Sequence, residues 1–182
     1  MKKRVFVVWA FLIAGLVLEF QACNKAANPG FAAHPCSSMS YMGVGAAATT
    51  AALPGCAVIV SPYTITGTVD FFQVEAYSMV GTFNVGLYSN NGAAPGSLIT
   101  TSGNVTGAGI GQGQTIAINP VELTPGTYWL AFGSQSAVTV GVNVGTTVVI
   151  GSGCGTNALP GTFSASTTST GEVLSLRADY CQ

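Results

Sequence analysis

The residues of this 182-residue chain most able to do chemistry are its five cysteines, its single histidine and its few carboxylates. The cysteines are Cys23, Cys36, Cys56, Cys154 and Cys181. None of them shows the C-x-x-C spacing of zinc sites, and His34 has no histidine partner with which to build a tetrahedral set. No metal and no cofactor are therefore expected. An odd number of cysteines in an exported chain implies that one of them has a separate use. With Cys23 set aside, Cys36, Cys56, Cys154 and Cys181 suffice for two disulfides in an oxidising compartment. Four cysteines allow three pairings. A terminal hairpin between residues 162–167 and 172–180, turning near Ser169-Thr170, favours Cys36–Cys56 with Cys154–Cys181. The crossed pairing, Cys36–Cys181 with Cys56–Cys154, would tie the two chain ends together.

Acid–base and nucleophilic chemistry find little support. From Cys23 onward the carboxylates are Asp70, Glu75, Glu122, Glu172 and Asp179. Asp70 and Glu75 are five apart, so on one regular strand they point to opposite faces. His34 sits before Pro35 in an unpatterned stretch, and no nucleophile elbow is present. The glycine string from Gly43 lacks the βαβ frame of a dinucleotide site, and the one from Gly107 to Gly113 lacks the Lys-Ser/Thr ending of a phosphate loop. No catalytic residue is assigned, and the chain reads as a non-enzyme. Four aromatics, Tyr63, Tyr77, Tyr88 and Trp129, are candidates for stacking against a sugar ring. The competing use of the same side chains is packing between strands.

Charge narrows the partners. The whole chain has 5 basic and 6 acidic residues, and only Lys25 and Arg177 are basic after Cys23. That composition provides no basic footprint for nucleic acid and no polybasic patch for a membrane surface. Long amphipathic helices are also excluded, because charged helix formers are so scarce.

The first 22 residues have their own pattern. Lys2, Lys3 and Arg4 precede an apolar run from Val5 to Leu18, the layout of a secretory signal peptide. Such a run is too short to cross a bilayer comfortably as a permanent anchor. The end, Phe20-Gln21-Ala22-Cys23, resembles a bacterial lipobox at Ala22-Cys23 and departs from it at Phe20 and Gln21. If Cys23 carries lipid, the chain is held to a membrane by that anchor. The expected organisation is a signal peptide at 1–22, a tether at 23–55 and a β-domain at 56–182. The expected location is outside the cytoplasm, as an outer-membrane or cell-surface lipoprotein or in the extracellular space.

The elements that must position these residues are strands. From Ala57 onward, period-two alternation recurs between turn signals. Residues 57–62 read as a first strand, and 63–78 as a long strand or two strands joined by a bulge near Phe71-Phe72. Phe83, Val85 and Leu87 face one way; Ile116 and Ile118 form another apolar face. Tyr128, Leu130 and Phe132 share a face opposite Trp129 and Ala131. Residues 137–144 and 146–150 are β-branched, and Leu174, Leu176, Ala178 and Tyr180 point inward, opposite a wet face with Arg177 and Asp179. Residues 45–53 could form a short helix packed on a sheet. Pro-Gly pairs, such as Pro54-Gly55 and Pro125-Gly126, mark turns in which glycine supplies the positive φ. A longer loop is expected from Asn90 through Gly96. The pattern predicts an all-β, antiparallel β-sandwich with jelly-roll-like wiring.

Two segments carry a family resemblance. "FNVGLYSNNGAAPGSL" (Phe83 to Leu98) and "LTPGTYWLAF" (Leu123 to Phe132) resemble the hallmarks of bacterial choice-of-anchor domains, secreted or surface-attached modules. The resemblance spans roughly residues 57–180 and implies an extracytoplasmic β-sandwich without catalytic apparatus. Asn90 stands where the family often has Asp, which removes a carboxylate from any calcium site in that loop. The functional expectation is a non-catalytic surface or secreted module that binds a glycan or a surface protein. The alternative is a self-associating structural subunit of a surface layer, filament or matrix, because strand edges with few lysines invite strand addition.

Overall fold

The structure is a computed structural model that describes residues 38–152, 159–162 and 165–181. Twelve strands account for it: β1 (Met39–Gly43), β2 (Thr49–Leu53), β3 (Ala57–Ile65), β4 (Val69–Tyr77), β5 (Thr82–Asn91), β6 (Ala94–Thr101), β7 (Val105–Thr106), β8 (Gly113–Leu123), β9 (Gly126–Ser134), β10 (Val138–Ser152), β11 (Ala165–Leu174) and β12 (Leu176–Cys181). They form a four-stranded sheet, β1-β12-β4-β8, and a larger sheet, β11-β10-β3-β9-β5-β6, to which β2 and β7 add beside β10 and β5. Each pairing is antiparallel.

The core lies between the two sheets. Val69, Phe71, Val74, Ala76, Ile116, Leu176 and Ala178 from the small sheet meet Ile59, Phe83, Val85, Leu87, Leu130, Phe132 and Val140 from the large one. The Phe83 and Phe132 rings stack at 5.2 Å. The alternation expected on β5, β8 and β9 is thus the alternation observed. A smaller apolar cluster covers the outer face of the large sheet. There Val58, Val60, Tyr88, Trp129 and Ala131 pack under Leu159. Leu159 presses so close that a Cβ at Gly86 or Gly133 would stand 2.7 or 2.6 Å from its methyl groups.

Several sequence expectations are corrected. Residues 39–43 and 49–53, read as part of a tether, are integral strands: β1 extends the small sheet beside β12, and β2 pairs with β10. The alanine-rich stretch is extended rather than helical at 49–53, since register with β10 outweighs the weak helical propensity of so short a run. The expected loop from Asn90 to Gly96 is a tight hairpin in which Asn91 faces Ala94. Gly92, at φ 66°, supplies the positive φ of its two-residue turn. At Pro54-Gly55 the positive φ falls one residue later, on Cys56 at 67°. Gly55 is needed there for space, because a Cβ would lie 2.7 Å from the Gln135 carbonyl oxygen.

The expected terminal hairpin is absent as well. β11 pairs with β10 in the large sheet, whereas β12 pairs with β1 and β4 in the small one. The chain changes sheet at Ser175, which is fully buried. Its N–H donates to the Gly141 carbonyl, its own carbonyl accepts from the Tyr77 N–H, and its hydroxyl accepts from Asn143 Nδ2. With all its polar groups engaged, this residue can sit between two sheets without a penalty for dry polar atoms.

β10 must also bend. A straight 15-residue strand spans about 46 Å. Its two ends nevertheless face Leu53 and Ala57, only four residues apart in the chain. The register shift between Gly145 and Val148, opposite Gly171 at φ 119°, is where the β10–β11 ribbon turns over.

Candidate functional site

The outer face of the small sheet gathers the polar chemistry. Strand register sets it out in rows. Gly43, Arg177, Glu75 and Thr115 lie side by side across β1, β12, β4 and β8, and Tyr41, Asp179, Gln73 and Ala117 form the next row. A third row brings together Met39, Cys181, Asp70 and Glu122. Of the six charged residues among the described residues, five (Asp70, Glu75, Glu122, Arg177 and Asp179) stand on this face; the sixth is Glu172.

A bulge creates this arrangement. Regular alternation would send Asp70 and Glu75 to opposite faces. The register of β4 against β8 slips between Phe71 and Gln73. Val69 and Phe71 point into the core before the slip, and Val74 and Ala76 do so after it. Asp70 and Glu75 therefore end up on the same outer face, because the extra residue reverses the parity of the strand.

Arg177 is the hub. One guanidinium nitrogen lies 2.7 Å from Glu75 Oε2, and its Nε lies 3.0 Å from Asp179 Oδ1. Asp179 Oδ2 accepts a 2.8 Å hydrogen bond from Gln73 Nε2, and Glu75 Oε2 accepts another from the Tyr77 hydroxyl at 2.5 Å. The guanidinium also sits 5.2 Å from the centre of the Tyr41 ring, a cation–π contact. Partial burial works against the charge on Arg177, but Asp179, Tyr77 and Glu75 more than offset it, so its pKa is held above the ordinary value. Asp179, expected on a wet face, is in fact buried at 5% exposure within this network. Tyr41 is 61% exposed and Met39 58%. The result is a laterally bonded set of planar side chains, partly exposed at Arg177 and Glu75 and buried at Asp179, beside an exposed aromatic ring.

The four aromatic candidates separate. Tyr88 and Trp129 are cross-strand partners on the other sheet and are buried. The Tyr88 hydroxyl donates to the Pro160 carbonyl at 2.6 Å, and burial pushes its pKa well above the ordinary phenol. Trp129 Nε1 donates to Asn90 Oδ1 at 2.9 Å. Neither ring has a face open to a sugar, which corrects the stacking expectation for both. Tyr63 lines a crevice with Ser61, Leu130, Leu174 and Leu176 that is too tight for a water molecule. Burial raises its pKa, against a small opposing pull from Ser61. Tyr77 is the candidate that stands on the polar face, its ring lying over Gly113. The hydrogen bond to Glu75 is the main cause of its raised pKa.

Tyr41 was missed in the sequence because its strand lies in a stretch without alternation. Cys23, Cys36 and Cys154 lie outside the described residues. Among the described residues no group of three metal-ligating side chains converges, and no helix is long and apolar enough to cross a membrane. The glycine string from Gly107 to Gly113 is pinned by its backbone. Gly107 and Gly109 donate to the Gly81 and Met79 carbonyls, and Ser78 donates to that of Gln112. No family model, curated protein or solved structure matches this chain.

Proposed function

We propose that the chain is an exported, non-catalytic β-sandwich module that binds an extracellular ligand, a glycan, on the open face of the small sheet. The leading observation is the concentration of five charged residues and two tyrosines on that one face. Sugar hydroxyls are bound by planar side chains that offer two hydrogen-bonding atoms each, and the C–H face of a sugar ring packs on an aromatic. Arg177, Glu75 and Gln73, held in place by the buried Asp179, supply the first requirement, and the exposed Tyr41 supplies the second. The signal-peptide pattern, the lipobox-like Ala22-Cys23 and the choice-of-anchor hallmarks support placement at the cell surface, with a lipid on Cys23 as the membrane attachment. Binding of the exported protein to a glycan array and to insoluble polysaccharides tests the reading. Retention by at least one glycan, reduced tenfold or more in Tyr41→Ala, is the expected result; equal retention of the two proteins overturns it.

A second reading, self-association into a surface assembly, draws on the sheet edges. β1 is an edge strand without charge or proline, and β11 is uncharged and proline-free from Ala165 to Gly171. Such edges can accept another strand. Concentration-dependent fibres or sheets in electron micrographs would favour this reading.

A further inference from the structure

We propose that the disulfides are crossed, Cys56–Cys154 and Cys36–Cys181, one at each end of the sandwich. Cys56 and Cys181 are both disulfide-bonded, and strand register selects their partners. Ser152 on β10 directly faces Ala57 on β3. Facing residues of antiparallel strands stand about 5 Å apart. Cys56 is the neighbour of Ala57, and Cys154 follows Ser152 by two residues, so chain length alone keeps the two within reach of a bond that needs Cα atoms roughly 4.4–6.8 Å apart. On the other sheet, Met39 directly faces Cys181. Cys36 precedes Met39 by three residues, a reach of at most about 10 Å.

The other two pairings would have to span the molecule. Cys181 faces Asp70 at the start of β4, and Val69 faces Leu123. Two short links tie this end of the small sheet to one end of β3: three residues join Ile65 to Val69, and two join Leu123 to Gly126, which itself faces Ile65. Cys56 precedes the opposite end of β3, beside Ala57 and Ser134. A nine-residue strand separates these ends by roughly 26 Å. Cys154–Cys181 would bridge that length, and so would Cys56–Cys181. The local pairing drew its support from a hairpin between residues 162–167 and 172–180 that the two-sheet topology does not contain. The crossed pairing gives the exposed edge strand β1, which carries Tyr41, a covalent fastening to β12, while Cys23 remains the odd cysteine. This inference stands on strand register and does not depend on the ligand-binding reading.

The test uses the exported full-length chain, alkylated without reduction at acid pH and cut after glutamate. Cleavage at Glu75, Glu122 and Glu172 puts Cys36 and Cys56 on one fragment, Cys154 on residues 123–172 and Cys181 on residues 173–182. The crossed pairing gives one three-fragment species. Cyanogen bromide at Met39 and Met42 then separates Cys36 from Cys56, and trypsin at Lys25 removes Cys23. After both, trypsin having also cut at Arg177, residues 178–182 should remain with the Cys36 peptide, and 123–172 with the Cys56 peptide. The Cys181 peptide linked to 123–172, to the Cys56 peptide or to the Cys23 peptide would overturn the proposal, as would alkylation of all four thiols.

Discussion

On the outer face of the large sheet, Tyr88 and Trp129 are sealed beneath Leu159, and their polar atoms are consumed by Pro160 and Asn90. On the outer face of the small sheet, Tyr41 stands open above an ion network of Arg177, Glu75 and Asp179. Both faces arise from the same inward–outward alternation, and both carry two tyrosines or a tyrosine and a tryptophan. The difference is what happens to the outward residues. In one face an apolar segment returns to cover them, making a second core. In the other they satisfy one another laterally and keep an aromatic exposed. Aromatic content alone therefore does not mark a binding face; the local supply of covering chain decides it.

Substitutions on the two faces should differ in kind. Trp129→Ala removes a large buried side chain and leaves the Asn90 amide without its partner. It should lower stability by about 3–5 kcal/mol, seen as a reduced urea midpoint. If the loss is under about 1 kcal/mol, the covered face is not a second core. Arg177→Leu, on the open face, leaves the buried Asp179 carboxylate with Gln73 alone, and the expected cost is about 1–2 kcal/mol. Asp179→Asn placed on that background should recover part of the loss, because the unpaired charge is then gone.

Alkaline pH separates the faces in another way. The Tyr88 phenol is raised by burial, and so is that of Tyr63, whereas Tyr77 is raised chiefly by its bond to Glu75. A phenol whose pKa is higher in the folded state than the ordinary 10.0 stabilises the fold fully below that value. The contribution is then lost as pH rises past it toward the folded pKa. The urea midpoint should be level from about pH 7 to 9 and fall above about pH 10. Tyr88→Phe should flatten that fall and cost about 1 kcal/mol at neutral pH, from its lost hydrogen bond to Pro160. Tyr77→Phe should change the alkaline limb less than Tyr88→Phe. The smallest effect belongs to Tyr41→Ala, which should shift stability by no more than about 0.5 kcal/mol, as expected of an exposed side chain.

The core was legible because period-two alternation reports directly on which side a residue faces. Phe83, Val85 and Leu87, and likewise Tyr128, Leu130 and Phe132, sit where the pattern put them. Three features could not be read that way. β1 and β2 are short strands held by register with β12 and β10, and their own residues carry little alternation. The bulge after Phe71 was suspected, but its consequence, that Asp70 and Glu75 share a face, depends on the register against β8. The change of sheet at Ser175 leaves the apolar period almost undisturbed, so the end of β11 and nearly all of β12 read as one strand over 172–180. The candidate site was half legible: Arg177 and Asp179 were placed together on an outer face, while their partners Glu75, Gln73 and Tyr41 come from strands distant in sequence.

The central claim is that the open face around Tyr41 and Arg177 is the ligand-binding surface. Its most direct test is titration of isotope-labelled protein with the glycan that retains it best, followed by amide and side-chain chemical shifts. The account predicts saturable shifts centred on Tyr41, Gln73, Glu75, Tyr77, Arg177 and Asp179, with Tyr88 and Trp129 unmoved. Shifts centred on the Trp129 indole and the segment around Leu159, with the Tyr41 face silent, would contradict it.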